Sequence, residues 1–360
     1  MGEKAAAYRG LFLGMAVGDA MGLPVDGKAW DEICENYGPN GLLGYDLMDG
    51  TAEVTSYTQV AAYVTNGLLL AITRGKPDLY LPYIAESMRQ WAKRQHFPRD
   101  PEKSLFWVCQ IPQLRTRQCR DARMLDALRF DRLGTTEKPI NNAATPGAIM
   151  TGAVIGSLYN NKRLDISQIC PLTTQAVALT HGDPESWLAA SALALVIASI
   201  LHGQPCCLKD QFLQAAEAID RQYRDKYPQA TSLSNRLKLA IGMAENQDQD
   251  SRYHMEQLVC SSAGECLAGA MYACLVSRDD FDTAMITAVN HSGRSSAVGA
   301  IAGAILGAYL TDAALPEFYL ESLDAAHALQ TLANDLAKGS PAAGLFDDDW
   351  DHKYVQGLPL

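Results

Sequence analysis

The stretch 295-SSAVGAIAGAILGAYL-310 decides the fold class of this chain. Its glycines at positions 299, 303 and 307 recur every fourth residue, and this spacing places them on nearly one face of an α-helix. The other side chains are almost all small and apolar, which is typical of a helix buried on nearly every side. The run is shorter than the roughly 20 residues that span a bilayer. We therefore predict a central core helix that a second helix approaches closely.

Apolar residues recur with helical spacing along most of the chain, and long period-two stretches of Val, Ile and Thr are absent. The predicted helices are Ala5–Ala20, Tyr57–Arg74, Leu79–Arg94, Glu185–His202, Lys209–Tyr227, Ser232–Glu245, Gly264–Val276, Phe281–Asn290, Ser295–Leu310 and Pro316–Ala337. No change of composition divides the chain, so the sequence predicts an all-α protein with a single compact multi-helix domain over residues 1–340. The acidic C-terminal tail at 341–360 is predicted to be solvated. Its alternative role is a peptide that docks on a partner or on the protein's own cleft.

The composition excludes several classes of protein. Hydrophobic residues make up 48% of the 360 positions and charged residues 20%, which is typical of a globular protein and not of a disordered chain. Lys and Arg total 30 against 41 Asp and Glu, and the net charge of −11 argues against nucleic-acid or membrane partners. The nine cysteines form no CxxC pair, which favours free thiols in a reducing cytoplasm over a zinc site or disulfides. The N-terminus lacks a clean signal-peptide core, so we expect a cytoplasmic protein.

Four loops contain the polar residues that are candidates for function. They comprise residues 18–26, 53–59, 141–150 and 291–296. The first ends the helix predicted for Ala5–Ala20, and the second opens the helix predicted for Tyr57–Arg74. The fourth directly precedes the glycine-containing helix Ser295–Leu310.

The motifs in and near these loops resemble those of the ADP-ribosylglycohydrolase family, which includes dinitrogenase-reductase-activating glycohydrolases and the jellyfish J1 crystallins. The resemblance covers the chain from Gly10 to about Leu336, and the order and spacing of the motifs make it specific. The motifs are Gly18-Asp19-Ala20 with Pro24, Thr58-Gln59, Thr180-His181-Gly182-Asp183-Pro184, and Ala288-Val289-Asn290-His291-Ser292-Gly293 followed by the glycine-containing helix.

This resemblance implies an all-α fold with two magnesium ions at the mouth of a cleft. It also implies an enzyme that cleaves the N- or O-glycosidic bond between ADP-ribose and a protein side chain. The second and fourth loops of the family supply aspartate and hydroxyl ligands to the metals, because hard magnesium ions prefer oxygen ligands. Two such ions can orient the ribose and polarise a water molecule.

The present sequence departs from the family at these metal positions. In the second loop, Ser56 and Tyr57 follow Thr55 where two aspartates are expected. In the fourth loop, Arg294 and Ser296 take the places of two more aspartates. Magnesium needs carboxylate ligands to offset the cost of dehydration, so we expect no magnesium cofactor at these degenerate positions.

The resemblance also indicates which residues line the cleft. Asp26 aligns with a family glutamate near the substrate ribose and is the candidate catalytic residue. The predicted ligand-binding residues are Asp19, Tyr57, His291, Arg294, Ser296 and Gly147. Some of these have purely structural alternatives: Asp19 can tie a helix end to a loop, and Tyr57 can simply fill an emptied ion position. Arg294 can point to solvent or pair with a carboxylate, or it can form an anion-binding pocket with the N-terminus of the following helix.

Three functions remain open at this stage. The first is a pseudoenzyme that binds a protein, such as an ADP-ribosylated protein, a toxin or a regulatory protein, or an anionic small molecule such as a nucleotide or ADP-ribose. The second is an active hydrolase that removes ADP-ribose from protein side chains without metal, through Asp26. The third is a structural protein like the crystallins. The missing aspartates favour the first, and we expect magnesium-dependent activity to be absent or very weak.

Overall fold

The computed structural model is 69% helical and confirms the all-α class. It describes residues 2–98, 104, 106–159, 164–204, 206–246, 250–339 and 347–355. Within these ranges the α-helices are α1 Gly2–Gly22, α2 Trp30–Tyr37, α3 Ser56–Thr73, α4 Tyr80–His96, α5 Ala122–Ala127, α6 Met150–Ser157, α7 Ile166–Ala178, α8 Pro184–His202, α9 Leu208–Tyr223, α10 Gln229–Glu245, α11 Ser251–Gln257, α12 Ala263–Val276, α13 Phe281–Val289, α14 Ser295–Leu310, α15 Glu317–Ser322, α16 Ala326–Lys338 and α17 Asp348–Tyr354. The extended pairings in the same ranges are two isolated bridges, Met48 with Thr51 and Ala52 with Leu323.

The antiparallel pair α1 and α14 forms the centre of the fold. The glycine stripe of α14 faces a second glycine stripe on α1, so that the two backbones touch. A Cβ atom built at Gly303 would lie 1.9 Å from the carbonyl oxygen of Gly14, and one at Gly14 would lie 2.2 Å from that of Gly303. The same reciprocal contact joins Gly10 with Gly307 and Gly18 with Gly299. The close approach predicted for α14 is therefore present, and its partner is α1.

The other helices surround this pair and bury its apolar side chains. Helices α3, α8, α12 and α13 pack on α14, while α16 packs on α1. Helix α8 is long and apolar enough to cross a membrane by length and composition. Residues 186–194 along it are all buried inside the protein, as expected of a core helix.

The predicted helix Pro316–Ala337 is wrong as a single element, because the chain breaks it into α15 and α16. Between them the backbone pairs with Ala52 instead of continuing the helix. The amide of Ala52 donates to the carbonyl oxygen of Ser322 at 2.8 Å, and the amide of Asp324 donates to the carbonyl oxygen of Ala52 at 3.2 Å. A contact between residues this far apart in sequence leaves no trace in the local helical periodicity.

Residues 347–355, the described part of the C-terminal acidic segment, also differ from the expected solvated tail, and the rest of the predicted tail lies outside the described residues. Residues 348–354 form α17, which buries Trp350 and Tyr354 against the body of the protein. The indole Nε1 of Trp350 donates to Thr73 Oγ1 at 3.1 Å, and Lys353 forms an ion pair of 2.6 Å with Asp335. The aspartates lie in the first turn of α17, where negative charge stabilises a helix.

Candidate anion-binding site

A cavity of about 310 Å³ lies where the N-termini of α3 and α5 meet the loop that precedes α14. Its lining residues come from the second, third and fourth loops and from one segment that the sequence analysis did not single out, residues 120–123. They are Tyr57, Arg120, Asp121, Ala122, Arg123, Thr145, Pro146 and Arg294. Of the predicted site residues, Tyr57 and Arg294 line this cavity.

Asp19 anchors the second loop behind the cavity. Its buried carboxylate accepts hydrogen bonds from the amide and hydroxyl of Thr55, at 2.9 and 2.6 Å, and from the amide and hydroxyl of Thr58, at 3.1 and 2.7 Å. Burial raises the pKa of Asp19 to about 6, although these donors oppose the shift. The structure thus places Asp19 in contact with the start of α3, where it orients Thr55 and Thr58 and does not reach the cavity.

Tyr57 forms the wall of the cavity at the start of α3, and its neighbour Ser56 binds the adjacent segment. The amide of Ser56 donates to the carbonyl oxygen of Gln118 at 3.1 Å, and Ser56 Oγ accepts from the amide of Arg120 at 3.0 Å. These two bonds bring the segment that carries Arg120 to the cavity. Tyr57 is buried, and its burial raises the pKa of the phenol well above its usual range, so the side chain stays neutral.

The fourth loop is held in place by its backbone. The amide of Arg294 donates to the carbonyl oxygen of Cys260 at 2.8 Å, and the carbonyl oxygen of Gly293 accepts from the amide of Gly27 at 2.9 Å. The supporting turn is strained, because Val259 and Cys260 adopt left-handed backbone angles, with φ of 64° and 50°. This strain lies directly beside the residue that carries a guanidinium group into the cavity.

His291 shapes this loop from inside and does not line the cavity. The imidazole is fully buried, with Nε2 3.0 Å from the carbonyl oxygen of Ala288 and Nδ1 accepting from the amide of Gly293 at 2.9 Å. An Nδ1 acceptor requires the neutral tautomer with its proton on Nε2. Burial lowers the pKa of His291 to about 4, which agrees with this neutral state.

Asp26 and Ser296 meet at the N-terminus of α14. Asp26 Oδ1 accepts a hydrogen bond from the amide of Ser296 at 3.1 Å. One of the first-turn amides that have no partner within the helix is therefore already bonded to a carboxylate. Burial raises the pKa of Asp26, and the charges of Arg120 and Arg294 oppose this shift. The hydroxyl of Ser296 is buried without a hydrogen-bond partner.

Asp121 is the one carboxylate among the described residues that lines the cavity, and its hydrogen bonds are used within the protein. Its Oδ1 caps α5 by accepting from the amides of Arg123 and Met124, while Oδ2 accepts from Thr145 Oγ1 at 2.5 Å and lies 3.0 Å from His181 Nε2. Burial alone would raise the pKa of Asp121, but its hydrogen bond with His181 and the charge of that ring outweigh burial and hold the pKa well below its usual range. Gly147 packs against this group, because a Cβ there would lie 2.4 Å from Asp121 Oδ2.

Among the described residues, three arginines, Arg120, Arg123 and Arg294, therefore line a cavity whose single carboxylate is already paired. Sequence reasoning identified Arg294 and missed the other two. A signal was present, because residues 115–123 contain four arginines in a chain of net charge −11. Within the described residues no three side chains of His, Cys, Asp or Glu group closely enough to hold a metal ion.

Comparison with known proteins adds three findings. The family model described as ADP-ribosylglycohydrolase matches residues 2–344. An uncharacterized protein of Archaeoglobus fulgidus is 26% identical over 339 residues, which are 91% of this chain and 95% of that protein. A solved structure described as an ADP-ribosylglycohydrolase-related protein complex has a similar fold, with a TM-score of 0.57 and 22% identity, over 94% of this chain and 99% of that one.

Proposed function

The chain belongs to the ADP-ribosylglycohydrolase family, and from this premise we propose that it is a pseudoenzyme that binds an anionic ligand where its relatives bind magnesium. One observation carries the proposal. Arg120, Arg123 and Arg294 line a single cavity in an otherwise acidic protein. Guanidinium groups present fixed pairs of donors that match phosphate and carboxylate oxygens, and they hold their charge at any physiological pH.

The side chains at the family's metal positions do not fit two magnesium ions. Thr55 and Thr58 donate their hydroxyl protons to Asp19, and Ser56 Oγ accepts from the amide of Arg120. The nearby carboxylate, Asp26, is bonded to the N-terminus of α14 and lies close to two arginines. A divalent cation would meet like charge there and would lack the carboxylates that offset its dehydration.

The ligand chemistry that suits this cavity is a phosphate or pyrophosphate group. Arginine forks bind phosphate in two-point contacts, and Tyr57 supplies an aromatic wall beside them. ADP-ribose, free or attached to a protein, carries such a pyrophosphate. We therefore infer that an ADP-ribosylated protein or a nucleotide-like molecule is the natural ligand.

Isothermal titration calorimetry with ADP-ribose, with and without millimolar magnesium, tests the proposal. We expect binding that does not depend on magnesium. We also expect the Arg294→Ala variant to bind about 10- to 100-fold more weakly, which corresponds to about 1.5–3 kcal/mol for a charged hydrogen bond. Arg221→Ala, at an exposed position on α9, is the matched control and should bind like the wild type. Binding that requires magnesium, or equal loss in both variants, contradicts the proposal.

A second candidate function is hydrolysis without metal, and the environment of Asp26 favours it. Burial raises the pKa of this carboxyl, as in many general acids. An assay of ADP-ribosyl-arginine and ADP-ribosyl-serine hydrolysis distinguishes the two functions. Turnover near the enzyme median of about 10 s⁻¹ that is abolished by Asp26→Asn would support the hydrolase, while absence of turnover with retained binding supports the pseudoenzyme.

A further inference from the structure

One segment of the chain carries a positive charge that the rest of the chain does not share. Residues 115–132 contain six arginines and three aspartates, a net charge of +3, while the remaining residues sum to −14. Arg120 and Arg123, which line the cavity, lie in this segment, but its other four arginines do not line the cavity.

Hydrogen bonds join this segment to the C-terminal half of α4. Arg117 Nη2 donates to the carbonyl oxygen of His96 at 2.8 Å, and Arg129 Nε lies 3.4 Å from His96 Nε2. Farther along, Arg89 Nη2 donates to the carbonyl oxygen of Asp131 at 2.7 Å. The residues that follow α4 and α5 therefore lie side by side on one surface.

Two phenylalanines protrude from the same surface. Phe97 is 64% exposed and follows His96, and Phe130 is 59% exposed and follows Arg129. Exposed arginines at 117, 129 and 132 accompany these rings. We call Phe97, Arg117, Arg129, Phe130 and Arg132 the basic-aromatic surface. Aromatic residues and arginine are the types enriched at the centres of protein interfaces.

We propose that the basic-aromatic surface docks an acidic segment of a partner protein that also presents apolar side chains. The arginines complement carboxylates, and the two phenylalanine rings gain burial against aliphatic groups. A nucleic acid fits less well for two reasons. Asp126 lies 3.4 Å from Arg129 and interrupts the positive charge, and a long polyanion would be repelled by the strongly acidic remainder of the chain. The proposal does not depend on what occupies the cavity.

The test measures binding of a fluorescein-labelled peptide to the full chain by fluorescence anisotropy at increasing salt concentrations. The peptide is rich in glutamate and contains two spaced leucines. We expect salt-sensitive binding that weakens about tenfold in Arg129→Glu and in Phe130→Ser. The chain offers matched controls for both variants. Arg224→Glu is the control for Arg129→Glu, because the two arginine side chains are 59% and 58% exposed and each forms an ion pair with an aspartate. Phe318→Ser is the control for Phe130→Ser, because the two phenylalanines are 57% and 59% exposed.

Three outcomes would overturn the proposal. The first is no binding of the peptide at low salt. The second is an equal loss of binding in the control variants, which would show that general charge attracts the peptide. The third is tighter binding of oligouridylate than of a peptide with the same charge, which would assign the surface to nucleic acid.

Discussion

His291, a single buried residue in the fourth loop, makes the free energy of unfolding depend on pH. Its imidazole has a pKa of about 4 in the folded protein, because burial disfavours the charged form, whereas an unfolded histidine titrates near 6.5. The unfolded state therefore binds the proton first as the pH falls. The stability contributed by His291 is complete above pH 6.5 and is lost as the pH falls toward 4.

We expect this loss to amount to about 3 kcal/mol, because each pKa unit corresponds to about 1.4 kcal/mol. Urea unfolding of the wild type and of His291→Gln between pH 7 and pH 4 measures it, since other titrating groups affect both proteins alike. The stability advantage of the wild type should shrink as the pH falls. A constant difference would mean that the pKa of His291 is the same in the folded and unfolded states, and NMR titration of the imidazole checks that directly.

The residues of the cavity show which parts of a site a sequence can reveal. Tyr57 and Arg294 were predicted because they replace aspartates in motifs whose positions the family resemblance defines. Arg120 and Asp121 were missed, because they belong to no motif and have no helical periodicity. Their segment reaches the site through two hydrogen bonds with Ser56, one from its amide to Gln118 and one to its hydroxyl from the amide of Arg120, and such tertiary contacts are not encoded in local patterns.

The helix pair α1 and α14 makes a sharp prediction at the scale of elements. A methyl group added at Gly303 would lie 1.9 Å from the backbone oxygen of Gly14, which no side-chain rotation can relieve. We expect Gly303→Ala to destabilise the protein by about 3 kcal/mol or more, because the central helices must separate. Thermal and urea unfolding measure the change.

Gly242, on the exposed side of α10, is the matched control for this substitution. Nothing lies within 4 Å of a Cβ atom built there. Gly242→Ala should therefore stabilise the protein by about 0.5–1 kcal/mol, through the helix propensity of alanine alone. If both alanine variants unfold alike, the two central helices are not packed backbone to backbone.

Helices were predicted well where their own sequence determines them. The bounds of α14 are those predicted, and α8 and α12 begin within one residue of the prediction, because capping residues and apolar periodicity are local signals. Short helices such as α2 and α5 were missed, since a run of six to eight residues contains too few turns to show a period. Helix α7 was also missed, and it contains an interior proline, Pro171, a residue that disfavours helices.

At the scale of the whole molecule, α3 connects two distant regions. Its N-terminus carries Tyr57 at the cavity, and its last residue, Thr73, accepts the hydrogen bond of Trp350 from α17. A helix of 18 residues is about 27 Å long. The described part of the acidic C-terminal segment therefore docks far from the cavity and does not compete with a ligand for the arginines.

Helix α17 is expected to contribute to the stability of the whole domain although it lies at the end of the chain. Trp350 is buried and packs edge to face on Tyr354 with ring centroids 4.8 Å apart, and the hydroxyl of Tyr354 donates to Asp335 at 2.8 Å. Trp350→Ala should lower the free energy of unfolding by about 3–5 kcal/mol, the range for removing a buried aromatic side chain. The affinity for ADP-ribose should not change, because the substitution lies at the opposite end of α3.

Urea unfolding followed by far-ultraviolet circular dichroism, with calorimetry on the same variant, measures both effects. Phe318→Ala, at a mostly exposed position on α15, is the control and should change the stability by less than about 0.5 kcal/mol. An unfolding midpoint that Trp350→Ala leaves in place would mean that α17 is not part of the cooperative unit. A lower midpoint together with weaker ADP-ribose binding would mean instead that α3 transmits the loss of α17 to the cavity, and that the two ends of this helix are coupled.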